Sequence, residues 1–142
     1  MSRIRGANTR PELRLRRGLH ARGLRFRLHR KDLPGKPDLV FPKRKAVILV
    51  HGCFWHGHGC PMFKRPATRT GFWSTKIACN QERDRRAVAA LEASGWRVLV
   101  VWECALRGPT RRSLEDVIGC CEDFLEHHDR KETRISGNWG AT

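Results

Sequence analysis

Three histidines and two cysteines crowd into ten residues behind an apolar run: Val47, Ile48, Leu49 and Val50 lead into His51-Gly52-Cys53-Phe54-Trp55-His56-Gly57-His58-Gly59-Cys60. The apolar run suits a buried strand that ends directly in a loop. Thiolates and imidazoles are the donors zinc prefers, so Cys53, His58 and Cys60 are three candidate ligands. His51 and His56 are left for proton transfer or phosphate contact, and Phe54 with Trp55 forms an apolar wedge. A tetrahedral site needs a fourth donor, and Cys104 at the end of a second apolar strand supplies one. Its rivals are Cys79, Cys120 and Cys121. Cys79 falls inside a helix and Cys121 on a helical core face, where buried thiols are commonplace. Four protein ligands leave no place for water, so this zinc is structural and the catalysis belongs to other residues.

Three carboxylates supply candidates. Asp38 follows the turn Leu33-Pro34-Gly35-Lys36-Pro37 and enters a strand, either as a turn residue or as a ligand for a hard cation such as Mg2+. Stepping by fours and threes from Ile77 gives Gln81, Asp84, Val88 and Leu91, which puts Asp84 on the core-facing stripe of a helix. A carboxylate there needs a partner, either an imidazole that it orients or a structural ion pair. Glu12 has capping-box spacing in Thr9-Arg10-Pro11-Glu12, and a cap alone would account for it. Hydrolysing a phosphodiester takes a carboxylate for a cation, imidazoles for proton transfer and an acid to orient one of them. Asp38, His51, His56 and Asp84 are those parts.

The charge names the kind of partner. Lys and Arg number 29 against 14 acids, a formal charge of +15, which attracts polyanions and makes nucleic acid the first partner to consider. An anionic membrane surface is the alternative, but the basic residues are interleaved with aromatics. Lys64, Arg65 and Arg69 precede Phe72-Trp73 in an irregular stretch suited to lie on a phosphate backbone. The 39% hydrophobic content, five Trp and six Phe of this 142-residue chain argue for one globular domain. No apolar run approaches the roughly 20 residues of a membrane span, and the N-terminus lacks the apolar core of a secretory signal. The expectation is a cytosolic protein whose six Cys are metal ligands or core residues.

The elements that must position these residues read as follows. A helix spans roughly 10–22. Leu24, Phe26 and Leu28 alternate with basic residues as a strand, Leu39-Val40-Phe41 makes a second and Ala46 to His51 a third. Ser74 caps a helix that Gly95 stops near Ser94, and Trp96 to Trp102 is an apolar, centrally paired strand reached by a right-handed crossover. Ser113 caps an amphipathic helix through Leu125, and 127–142 reads as a polar tail. The order predicts an α/β fold, a mixed sheet flanked by helices, with Asp38, His51 and Asp84 converging.

The segments Pro34-Gly35-Lys36-Pro37-Asp38, His51-Gly52-Cys53-Phe54-Trp55-His56, Pro66-Ala67-Thr68-Arg69-Thr70, Arg83-Asp84-Arg85-Arg86, Gly95-Trp96-Arg97-Val98 and Val101-Trp102-Glu103-Cys104-Ala105-Leu106 together resemble the very-short-patch repair (Vsr-type) DNA mismatch endonucleases. The resemblance covers roughly residues 1–108. It implies a divergent restriction-endonuclease-like core, zinc-stapled, that nicks one strand of duplex DNA beside a T:G mismatch left by deamination of 5-methylcytosine. By that resemblance Asp38 holds Mg2+ with the backbone carbonyl of Val50, His51 and His56 sit at the scissile phosphate, and Asp84 orients His56. Glu12 falls on an acidic position that helps order water at the cation. Cys53, His58, Cys60 and Cys104 fall on structural zinc ligands, and Phe54, Trp55 and Trp73 on aromatics that wedge into the duplex. For Trp55 and Trp73 the other reading is core packing. The family implies a monomer in the bacterial cytoplasm, at the nucleoid, with mismatch-repair proteins as possible partners. The sequence departs from the usual nuclease pattern. No acid-x-Lys follows Asp38 on the next strand, Gly57 stands where some relatives have His, and a DNA-touching arm that relatives carry before the first residue is expected to be shortened.

Overall fold

Branched and aromatic residues cluster at Leu39–Phe41 (β2), Ala46–His51 (β3) and Arg97–Trp102 (β4), segments suited to burying side chains on both faces of a sheet. The computed structural model describes residues 10–28, 30–53, 58, 60, 68–108, 110–127 and 134–137. Two short strands, β1 (Arg27–Leu28) and β5 (Arg134–Ile135), complete a sheet of order β1-β2-β3-β4-β5. β1, β2 and β3 are the expected antiparallel meander, whereas β4 runs parallel to β3 and β5 parallel to β4.

Helices cover both faces, as expected of a restriction-endonuclease-like core. α1 (Arg10–Ala21), the single turn α3 (Glu103–Leu106) and α4 (Leu114–Glu126) close one face over Leu39, Phe41, Ala46, Ile48, Leu99 and Val101. α2 (Thr70–Ala93) closes the other, with Leu91 packed among Val40, Val47, Leu49 and Val98. Side chains alternate along a strand. His51 shares its parity with Leu49 and Trp102 with Val98, so both belong to the α2 face. The turn before β2 docks on that helix as well, because a Cβ on Gly35 would come within 2.7 Å of the Ala87 Cβ. Ala87 lies one turn along α2 from Asp84. No helix among the described residues is long and apolar enough to cross a membrane.

Three elements differ from expectation. The strand expected from Leu24 begins only at Arg27. The Leu24 N–H bonds Leu19 O (3.2 Å) and the Gly23 N–H bonds His20 O (2.9 Å), a left-handed cap at Gly23 (φ 85°) that claims Leu24 for the end of α1. α2 starts at Thr70, a turn before Ser74, with the left-handed Arg69 (φ 52°) at its N-cap. Trp73 therefore lies in a helical first turn instead of a loop. The segment expected to be a polar tail contributes β5, whose Ile135 is buried in the main core.

Candidate active site and metal centre

Asp38 and Glu12 come together where β2 begins, beside the end of β3 that carries His51. The Val50 N–H donates to Asp38 Oδ2 at 2.7 Å, so β3 orients this carboxylate directly. In a strand the N–H and C=O of one residue point to the same edge, which puts the Val50 carbonyl on the Asp38 side. Glu12, 2% exposed, enters from the first turn of α1 and pairs with Arg16 at 3.1 Å. Its carboxyl lies in hydrogen-bonding reach of Asp38. Burial pushes the Asp38 carboxyl up to about 7, and the neighbouring Glu12 pushes the same way, against backbone N–H donors that include Val50. Two buried acids in contact are the electrostatic arrangement that a divalent cation relieves.

His51 follows on β3 and is 9% exposed, its ring set edge-on to Trp102 with centroids 5.2 Å apart. Asp84 is half-buried on α2, on the predicted stripe from Ile77 to Leu91. His56, Phe54, Trp55 and Lys64 lie outside the described residues. Arg69 is exposed, its guanidinium 4.4 Å from the centre of the Phe72 ring. Phe72 is 47% exposed, while Trp73, edge-on to it at 5.2 Å, is half-buried.

Beside this site the four predicted metal ligands are together. The donor atoms of Cys53, His58, Cys60 and Cys104 all lie within 4.8 Å of one another. His58 Nδ1 is 3.5 Å from Cys53 Sγ and 3.7 Å from Cys104 Sγ. Bond lengths of about 2.0–2.3 Å put the donors of a tetrahedral zinc roughly 3.5–3.8 Å apart. Burial holds the Cys53 and Cys104 thiols well above the usual thiol range. It lowers His58, helped by Arg134, and so keeps that imidazole neutral and able to coordinate. Three thiols and a neutral imidazole at this spacing fit a soft divalent cation that would hold the sulfurs as thiolates. Cys79 is exposed and Cys120 half-buried, and neither joins the cluster; nor does the buried Cys121.

Three supporting residues were not singled out from sequence. Glu103 Oε1 accepts the Cys53 N–H at 3.2 Å. The Gly137 N–H donates to Cys104 Sγ at 3.2 Å, and a Cβ on Gly137 would sit 2.4 Å from Cys104 O and 2.6 Å from Thr110 O. Trp102 stacks on His58 with ring centroids 4.0 Å apart and planes 5° from parallel. Trp102 and Glu103 could have been suspected from their place beside Cys104 at the end of an apolar strand. Gly137 had no sequence signal, since its role depends on β5.

A family model described as DNA mismatch endonuclease Vsr matches residues 1–62. The DNA mismatch endonuclease Vsr of Escherichia coli (strain K12) is 53% identical over 125 residues, 88% of this chain and 80% of that protein. The type II nicking enzyme V.XorIIP of Xanthomonas oryzae pv. oryzae is 59% identical over 106 residues, 75% of this chain and 78% of its own length. The type II nicking enzyme V.NmeAIP of Neisseria meningitidis serogroup A is 44% identical over 107 residues, 75% of this chain and 76% of its own.

Proposed function

The chain belongs to the DNA mismatch endonuclease Vsr family, and from that premise we propose that it is a Mg2+-dependent endonuclease nicking one strand of duplex DNA beside a T:G mismatch. The observation that carries this reading is the buried Asp38 carboxylate, aligned by the Val50 N–H and touching Glu12, a cation site where binding alone would ask for none. Asp38 and the Val50 carbonyl hold the cation, and Glu12 orders water beside it. A Mg2+ held there would supply the positive charge that polarises the scissile phosphate and offsets charge on the departing 3′ oxygen. His51 and His56 divide the base and acid roles, with Asp84 orienting His56. Zinc on Cys53, His58, Cys60 and Cys104 is structural.

Recognition in this reading is separate from chemistry. Lys64, Arg69 and the rest of the +15 charge bind the phosphates. Phe54, Trp55 and Trp73 wedge at the mispaired step, where unstacking costs least. The test is nicking of a T:G duplex against its fully paired T:A counterpart, with and without Mg2+. Nicking confined to T:G, abolished in Asp38→Ala while DNA binding persists, is the expected result. Equal cutting of both duplexes would make the chain a restriction-type endonuclease, and binding without any cutting a zinc-stabilised DNA-binding module.

A further inference from the structure

Trp102 is the one indole among the described residues that touches both clusters. It is the register partner of His51 across the parallel pair β3 and β4, and both side chains rise on the α2 face. Its ring meets the His51 imidazole edge-on, 5.2 Å between centroids and 76° between planes. The same ring lies flat on the imidazole of His58, at 4.0 Å and 5°. Its apolar neighbours are the thiol-bearing residues Cys53, Cys60 and Cys104, apart from the two sheet cores. The indole thus fills the space between a metal ligand and an active-site imidazole, in one stacked and one edge-to-face contact, both geometries aromatic rings favour.

We propose that Trp102 is a positioning residue, fixing the His51 imidazole against the ligand plane of His58 so that the metal centre sets the nicking rate as well as holding the fold. His58 cannot turn without leaving its metal, so its ring is a rigid floor for the indole, and the indole is a rigid wall for His51. The other candidate ligands are braced too, through the Glu103 carboxylate on the Cys53 N–H and the Gly137 N–H on Cys104 Sγ. Bracing of this kind orients ligands at metal sites generally, and here it is passed on to a group that is not a ligand. A catalytic group displaced by about 1 Å can cost on the order of 10²-fold in rate, so a tilt of the His51 ring is enough to matter.

The inference rests on the reading of His51 as an active-site group, and the experiment keeps the two apart. Single-turnover nicking of a saturating T:G duplex is measured with Mg2+ for the zinc-loaded wild type, Trp102→Phe, Trp102→Leu, His58→Cys and His51→Ala, beside zinc content and DNA affinity for each. Cobalt(II) in place of zinc reports by its visible bands whether a tetrahedral site survives. Trp102→Phe keeps a flat ring and is expected to nick within about threefold of wild type. Trp102→Leu keeps its zinc, its tetrahedral cobalt spectrum and its DNA affinity, yet slows roughly tenfold or more. His58→Cys keeps four zinc ligands but loses the stack, and slows similarly even if Trp102→Leu proves unable to fold. A fully metal-loaded Trp102→Leu or His58→Cys that nicks at the wild-type rate overturns the proposal. A wild type that nicks no duplex, or a His51→Ala that nicks at full speed, overturns the functional reading first, and the role of Trp102 falls with it.

Discussion

At the candidate metal centre every donor atom already lies within 4.8 Å of the others and a backbone N–H supports one of the sulfurs, whereas Asp38 and Glu12 bring two carboxyls together with the Val50 N–H on the first and Arg16 on the second. The first cluster has four donors, enough to close a tetrahedral metal site with no position left for water. In the proposed reading the second is short of ligands, two acids and a carbonyl that would leave the rest of a hard cation's shell to water and phosphate. The difference separates holding from reacting. A closed site contributes to folding and cannot turn over, whereas an open one costs stability and can.

The comparison breaks hardest at the closed site. Cys104→Ala should unfold the chain at growth temperature, because structural zinc contributes roughly 10–16 kcal/mol of apparent binding energy against a total stability of about 5–15 kcal/mol. Metal analysis and thermal unfolding of freshly purified protein check this, and a wild type without zinc would remove its basis.

At the open site the sign should reverse. Desolvation and Glu12 raise the Asp38 pKa from 3.8 to about 7 in the folded chain. The folded state therefore takes up a proton that the unfolded state releases. Without cation, stability is greatest below pH 4 on this account and falls as pH rises through 7, by a few kcal/mol in all. Asp38→Asn should abolish nicking yet make the Mg2+-free protein more stable than wild type at pH 8, by the same few kcal/mol. Mg2+ should raise the melting temperature of wild type and not of the variant. An Asp38→Asn protein less stable than wild type in Mg2+-free buffer would contradict the electrostatic account of this site.

Asp84→Asn is a smaller change, because it leaves both clusters intact and alters only the group assigned to orient His56. A fall of about 10²-fold in nicking rate, with DNA affinity nearly unchanged, is the scale of general acid–base assistance. An unaltered rate would make Asp84 a structural residue of α2.

How much of this was legible in sequence follows from which interactions are local. β2, β3 and β4 were readable to within a residue because each is a continuous apolar run, and Ser113 announced α4 by a cap that the structure forms, with its Oγ accepting the Asp116 N–H at 3.1 Å. The clustering of Cys53, His58, Cys60 and Cys104 was readable because thiol and imidazole in one loop have few other uses. β5 was not, since two residues carry no periodicity and Ile135 is held by pairing with Val101, far away in the chain. The start of α2 was missed for a related reason. Its N-cap is Arg69 in a left-handed conformation with no side-chain cap, whereas Ser74 offered a cap that the chain does not use. The contact of Glu12 with Asp38 is tertiary too: capping-box spacing describes the helix and is silent about what α1 packs against.

That shift in α2 changes what Trp73 must do, and its replacement is the finest test of the comparison. In a loop the ring could have been free to enter the duplex. In the first turn of α2 it is half-buried, with the more exposed Phe72 edge-on beside it and Arg69 over Phe72. If Trp73 wedges at the mismatch, Trp73→Ala should lose stacking worth roughly 1–3 kcal/mol of affinity for T:G duplex. Affinity for T:A duplex rests mainly on phosphate neutralisation, so it should change less and keep its steep salt dependence. The T:G to T:A ratio therefore narrows while the melting temperature moves little. If instead the ring packs beneath the helix, truncation costs stability, approaching the roughly 3–5 kcal/mol of a fully buried Trp, and the ratio stays as it was. Melting temperature and binding ratio, measured on the same preparation, move in opposite order in the two cases, and a large loss of stability at constant ratio would transfer the recognition role from Trp73 to the exposed ring of Phe72.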